Sequence, residues 1–285
     1  MHSMPIAVTL CGCAAAPLKE SGALSSYNDL QPANGTVTKS LLRIDADAVL
    51  AAKTARIVPT TFAAATLQVP FTDQQRQLIG NAVDRSLCIG LSDRFRVVPA
   101  SEPADLTVHA VITNVTATDK VAAGASKVVS IIPAALSLGV PVPVPRLPIG
   151  LGSLSMEAEA QGPTGDQTAA MIWARGANSF GNRPRVSTAS DAYDLAASFG
   201  GDFSEFLVTG KSPFGHLSTP SMQKISASLG SSPKYAACAV FGKDPGVGGM
   251  IAGGILGAPP EWTDDGAAEA SSQPTAATAE AEANH

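Results

Sequence analysis

The stretch DLTVHAVITNVT, residues 105–116, decides the reading of this chain. Leu106, Val108, Ala110 and Ile112 recur at every second position, while Thr107, His109, Val111 and Thr113 fill the positions between them. A two-residue period with β-branched residues predicts a strand with one face on a core. Outward from it, Leu154–Ala160 and Thr168–Arg175 flank Gly162-Pro163-Thr164-Gly165-Asp166, the pattern of an antiparallel hairpin. Upstream, Lys53–Phe62 predicts a first strand, bent or at an edge because of Pro59, and Phe95–Pro99 a short one.

Two helices alternate with these strands. Thr72 and Gln75 form a capping box ahead of Ile79, Val83, Leu87 and Leu91, and the pattern runs to about Leu91. A second helix begins near Thr188 or Ser190 and lines up Ala192, Leu195, Ala196, Phe199, Phe203, Phe206 and Leu207; Gly200-Gly201 predicts a kink. The expected fold is α+β: a single, mostly antiparallel sheet packed by two main helices, with a flexible N-terminal tether and a disordered C-terminal tail.

The chain has 285 residues, 45% of them apolar and only 15% charged, with a formal charge of −5. That composition supports a sizeable core and excludes the basic footprint of a nucleic-acid binder. Near the N-terminus, Leu10-Cys11-Gly12-Cys13 followed by Ala14 resembles a bacterial lipobox. Residues 1–12 then read as a truncated-looking signal segment, since they hold no Lys or Arg and include Pro5. Cleavage after Gly12 leaves Cys13 to be lipidated, and acyl chains anchor a protein without a spanning helix. The implied place is the cell envelope, in the outer membrane facing the periplasm, because Ala14 stands where Asp would signal inner-membrane retention. Cys88 and Cys238 remain as an even pair, either bridged in an oxidising compartment or two buried thiols.

Residues 13–38, poor in periodicity, read as the tether, and 39–240 as the folded domain. Residues 241–265 are rich in Gly and Pro, and 266–285 in Ala, Glu and Thr. Gly249, Gly253 and Gly257 fall every four residues, but the apolar run is too short to span a bilayer. Within the domain, Val121–Gly152 carries Pro141, Pro143, Pro145, Arg146 and Pro148. Prolines at that spacing favour an extended surface loop, the candidate contact site for a protein partner.

Long stretches of the chain resemble the DUF3313 family of bacterial lipoproteins, a domain of unknown function. They are 24–49 (LSSYNDLQPANGTVTKSLLRIDADAV), 52–62 (AKTARIVPTTF), 81–98 (NAVDRSLCIGLSDRFRVV), 103–111 (PADLTVHAV) and 143–160 (PVPRLPIGLGSLSMEAEA). The resemblance implies an envelope lipoprotein and no assigned activity.

No catalytic motif stands out. His2, His109, His216 and His285 are the four histidines, and His109 reads as a packed strand residue. Thr209-Gly210-Lys211-Ser212 resembles the end of a Walker A loop but has Glu205 where Gly is required, and Gly150-Leu151-Gly152 lacks a third glycine. Glu157 and Glu159 share a strand face and read as solvated carboxylates ahead of a cation site. The expectation is a noncatalytic envelope protein that binds a partner or scaffolds an assembly, with no cofactor and no metal. A carrier or sensor of an apolar ligand, in a pocket between the sheet and the Phe-rich helix, is the first alternative; an enzyme of unrecognised class is the second.

Overall fold

The computed structural model describes residues 16–18, 20–121, 150–178, 185–215 and 220–264. Its centre is an eight-stranded sheet: β1 (Gln31–Pro32), β2 (Thr38–Ile44), β3 (Thr54–Ile57), β4 (Thr61–Phe62), β5 (Arg96–Val97), β6 (Leu106–Thr116), β7 (Ser153–Gln161) and β8 (Gln167–Gly176). The strand order is β1-β2-β8-β7-β6-β3-β5, with β4 also on β6. Four helices matter to the argument: α1 (Ala46–Ala51), α2 (Asp73–Leu91), α3 (Ser190–Thr209) and α4 (Met222–Ser228).

The α+β class holds, but the sheet is mixed where mostly antiparallel pairing was expected. β6, β7 and β8 form an antiparallel meander, whereas β3 pairs parallel with both β5 and β6, and β4 parallel with β6. The cause is α2: a helix between two strands carries the chain back to its starting end, so the next strand runs parallel to the first. The single strand expected over 53–62 is two pieces. Pro59 has no N–H to give, and Thr60 turns its N–H and hydroxyl to the Asp84 carboxylate on α2 instead of to the ladder.

Helix α2 has the expected capping box. Its buried stripe, Leu78, Ile79, Val83, Leu87 and Leu91, packs against α3, whose Phe199, Phe203 and Phe206 are wholly buried. Trp173 of β8 meets Phe199 edge-on at 5.6 Å between ring centroids, and Phe199 stacks on Phe203 at 5.9 Å. Helix α3 runs unbroken through Gly200-Gly201 from Ser190 to Thr209. A Cβ at Gly200 would lie 2.7 Å from the Val83 carbonyl oxygen, and one at Gly90 would lie 1.9 Å from Ser204 Oγ. Gly200 lets α3 touch the α2 backbone, and Gly90 makes room on α2 for the Ser204 side chain.

The other face of the sheet is covered too. Residues expected to form a free tether lie across it: Leu18, Leu24, Tyr27 and Leu30 pack with Leu41, Ala170 and Ile172. β2, unforeseen as a strand, starts at Thr38 and pairs along its length with β8. β7 is consequently buried on both faces. After α3 the chain wraps the outside of the helices. Val186 donates to the Gly257 carbonyl (3.1 Å), docking the Gly-rich segment beside Arg185.

Candidate functional site

Glu157 and Glu159 are buried acceptors, not the solvated carboxylates expected of them. Alternation along β7 aims both at the face opposite the helices. Glu157 accepts from the backbone N–H of Ser21 (2.6 Å) and Ala23 (3.0 Å) and from the Tyr27 hydroxyl (2.5 Å). Glu159 accepts from the N–H and hydroxyl of Ser25 (2.8 and 2.7 Å) and from the side-chain amides of Gln161 (2.6 Å) and Gln167 (2.7 Å). Two residues upstream on β7, Ser155 donates its hydroxyl to the Pro17 carbonyl (2.7 Å). Residues 17, 18 and 20–27 form a strap, and two carboxylates are its clasp. Burial alone would raise the Glu159 carboxyl, but hydrogen bonds from Gln167 and Ser25 outweigh it and hold the group below the usual range. Burial, then the bond to Glu157, raises the Tyr27 phenol.

Two grooves open where β3 and β5 close the sheet and share Ile57, Pro59 and Ala100. One, of about 580 Å³, is apolar: Val97, Val98, Tyr235, Val240 and Phe241 line it, and the Arg96–Glu102 ion pair (2.9 Å) rims it. The other, of about 630 Å³, holds His109, Arg56, Thr107 and the hairpin residues Gln161–Pro163 and Gly165. His109 is half-buried and opposite Glu159 in the sheet register. Arg56 is spent locally, donating to Thr107 Oγ1 (2.9 Å) and the Ala100 carbonyl (3.4 Å). No group of three His, Cys, Asp or Glu that could hold a metal occurs among the described residues.

Between the sheet and the Phe-rich helix, where an apolar pocket was expected, the described residues place the fully buried rings of Trp173, Phe199, Phe203 and Phe206. The apolar groove lies instead at the sheet edge. Cys88 on α2 and Cys238 form a disulfide with Cα atoms 5.9 Å apart, stapling the C-terminal segment to the helix layer. Nearby, Arg85 makes a two-pronged ion pair with Asp264 (2.6 and 3.2 Å), and Tyr193 donates to the same carboxylate (2.6 Å). Leu10, Cys11, Gly12 and Cys13, and the prolines of 141–148 with Arg146, lie outside the described residues, as do His2, His216 and His285. Thr209-Gly210 closes α3, with Gly210 left-handed at φ 67°. The Gly152 N–H donates to Asp191 at the start of α3 (2.8 Å). No helix among the described residues is long and apolar enough to cross a membrane.

Composition and periodicity did not reveal the clasp. The available signal was β7 itself: its acidic face lies in a strand flanked on both sides by other strands, where a buried carboxylate requires partners.

Among solved structures, the chain is similar to a PelC dodecamer from Paraburkholderia phytofirmans, with a TM-score of 0.33 and 12% identity over 57% of this chain and 95% of that one. A second PelC dodecamer from that organism gives a TM-score of 0.30 and 11% identity, over 60% of this chain and 93% of that one. No curated protein matches the chain. A family model described as a protein of unknown function, DUF3313, matches residues 19–203, from the strap through most of α3. The chain therefore belongs to the DUF3313 family.

Proposed function

We propose that this protein is a noncatalytic envelope lipoprotein, lipidated at Cys13 in the outer membrane, that binds a protein partner in the periplasm. One observation carries the compartment: Cys88 and Cys238, 150 residues apart, meet in a disulfide, a bond that persists in oxidising surroundings. The lipobox pattern at Leu10–Cys13 supports the anchor. The partner reading rests on the proline-rich stretch 141–148 and on side chains near His109 and Arg56 that are committed to structure. Fractionation of cells beside a Cys13→Ser variant, with an intact mass of the N-terminal peptide, tests it. An acylated Cys13 in the outer-membrane fraction is expected; an unmodified soluble chain overturns the anchor. Deleting Pro141–Pro148 should lower recovery of a crosslinked partner while leaving the folded body intact.

A second reading has its own support. The apolar groove of about 580 Å³ is of a size that takes a small apolar ligand. Native mass spectrometry of freshly purified protein should then show a co-purifying adduct that Val98→Arg removes.

A further inference from the structure

The strap lies on β7, β8 and β2; beyond it, β3 and β6 carry Arg56, Thr107 and His109 on the same face of the sheet. Arg56 and Thr107 are register partners, and with His109 they line the groove of about 630 Å³. Among the described residues lining that groove there is no Asp or Glu. Glu159, opposite His109 in register, is held by Ser25, Gln161 and Gln167 and does not line it. Arg56 donates to the Thr107 hydroxyl and the Ala100 carbonyl, both neutral. These bonds orient the half-buried guanidinium without neutralising it, and they leave N–H donors over.

The apolar groove of about 580 Å³ lies on the helix side of the same sheet edge, where Ile57, Val97 and Phe241 belong to the core. Pro59 and Ala100 border both grooves, and Pro99 lines the apolar one. The crossing is poor in donors, since proline has no N–H. By reaching the Ala100 carbonyl, Arg56 stands at the junction.

We propose that the two grooves form one trough for a long-chain carboxylate, its head on Arg56 and its hydrocarbon chain crossing Pro59 and Ala100 into the apolar groove. This deepens the apolar-ligand reading above and rests on it. A lone guanidinium without a counterion matches a single negative charge, and its planar fork fits a carboxylate. A phosphate monoester carries about −1.5 to −2 and would leave charge unmatched. Thr107 and His109 add a hydroxyl and an imidazole to the polar end. Val97, Val98 and Val240 offer the chain an apolar wall.

The test titrates the full-length protein with decanoate, 1-decanol and decyl phosphate, reading affinity by calorimetry and location by amide shifts in NMR spectra. Decanoate should bind about tenfold or more tighter than decanol, as a hydrogen bond to a charged group implies. Its shifts should centre on Val98, Ala100 and His109. Arg56→Gln should bring decanoate down to the level of decanol and leave decanol unchanged. The comparison of decanoate with decanol in the parent protein uses no variant, so it stands even where Arg56→Gln folds poorly. Equal binding of the two overturns the carboxylate site and spares the apolar groove; binding of neither overturns both. Decyl phosphate binding tighter than decanoate overturns the carboxylate class, and shifts away from these residues overturn the trough.

Discussion

The two faces of one sheet are covered by opposite chemistries. Toward the helices, Met156, Met171 and Trp173 meet Phe199, Phe203 and Phe206, and water exclusion does the holding. Toward the strap, Glu157 and Glu159 meet backbone N–H groups beside a small apolar cluster of Leu24, Ala170 and Ile172, and charge-assisted hydrogen bonds set where each strap residue lies. The attraction on the first face is non-directional. The second fixes register residue by residue, which is why a segment with no periodicity still takes one path.

The difference can be broken at its strong side first. Phe199→Ala should lower the unfolding free energy by about 3–5 kcal/mol in urea titrations, since it removes a fully buried ring between Trp173 and Phe203. Cys88→Ser should lose about 2–5 kcal/mol, and reductant should bring the parent protein to the same midpoint.

Acidity should act on the two sides with opposite sign. Burial pushes Asp84 up to about 7 despite its bonds from Thr60. Its contribution is therefore whole below its ordinary value near 3.8 and fades as pH rises through about 7. Asp84→Asn should flatten that slope, worth on the order of a few kcal/mol, in melting temperatures taken from pH 4 to 8. Glu159, held low, works the other way: the strap is firm above the ordinary carboxylate value of 4.5 and loosens as pH falls through the lowered one.

The smallest effect belongs to the clasp alone. Glu157→Gln should speed amide exchange at Ser21 and Ala23 roughly tenfold to a hundredfold, as expected for about 1–3 kcal/mol lost locally. Global melting should barely move. A drop in melting temperature matching that of Phe199→Ala would make the two faces one cooperative unit and dissolve the contrast.

This asymmetry also explains what was legible in the sequence. α2, α3 and the β7–β8 hairpin declare themselves by period, because burial against a neighbouring layer imposes one. β2 does not: Thr38–Ile44 is short, and its partner strand comes more than a hundred residues later. The parallel pairing of β3 followed from the helix between strands, a connection that periodicity alone does not weigh. Gly200-Gly201 reads locally as a weak point, yet its role is set by Val83 and Ser86 on another helix. The strap was least visible because its backbone partners are side chains about 130 residues away.

The ion pair of Arg85 with Asp264 carries a consequence for biogenesis. A chain made from its N-terminus presents Arg85 long before Asp264, and until then the guanidinium lacks that carboxylate. Removing one member of a buried pair costs about 3–5 kcal/mol, so a fragment ending before residue 264 should stay loose and open to proteases.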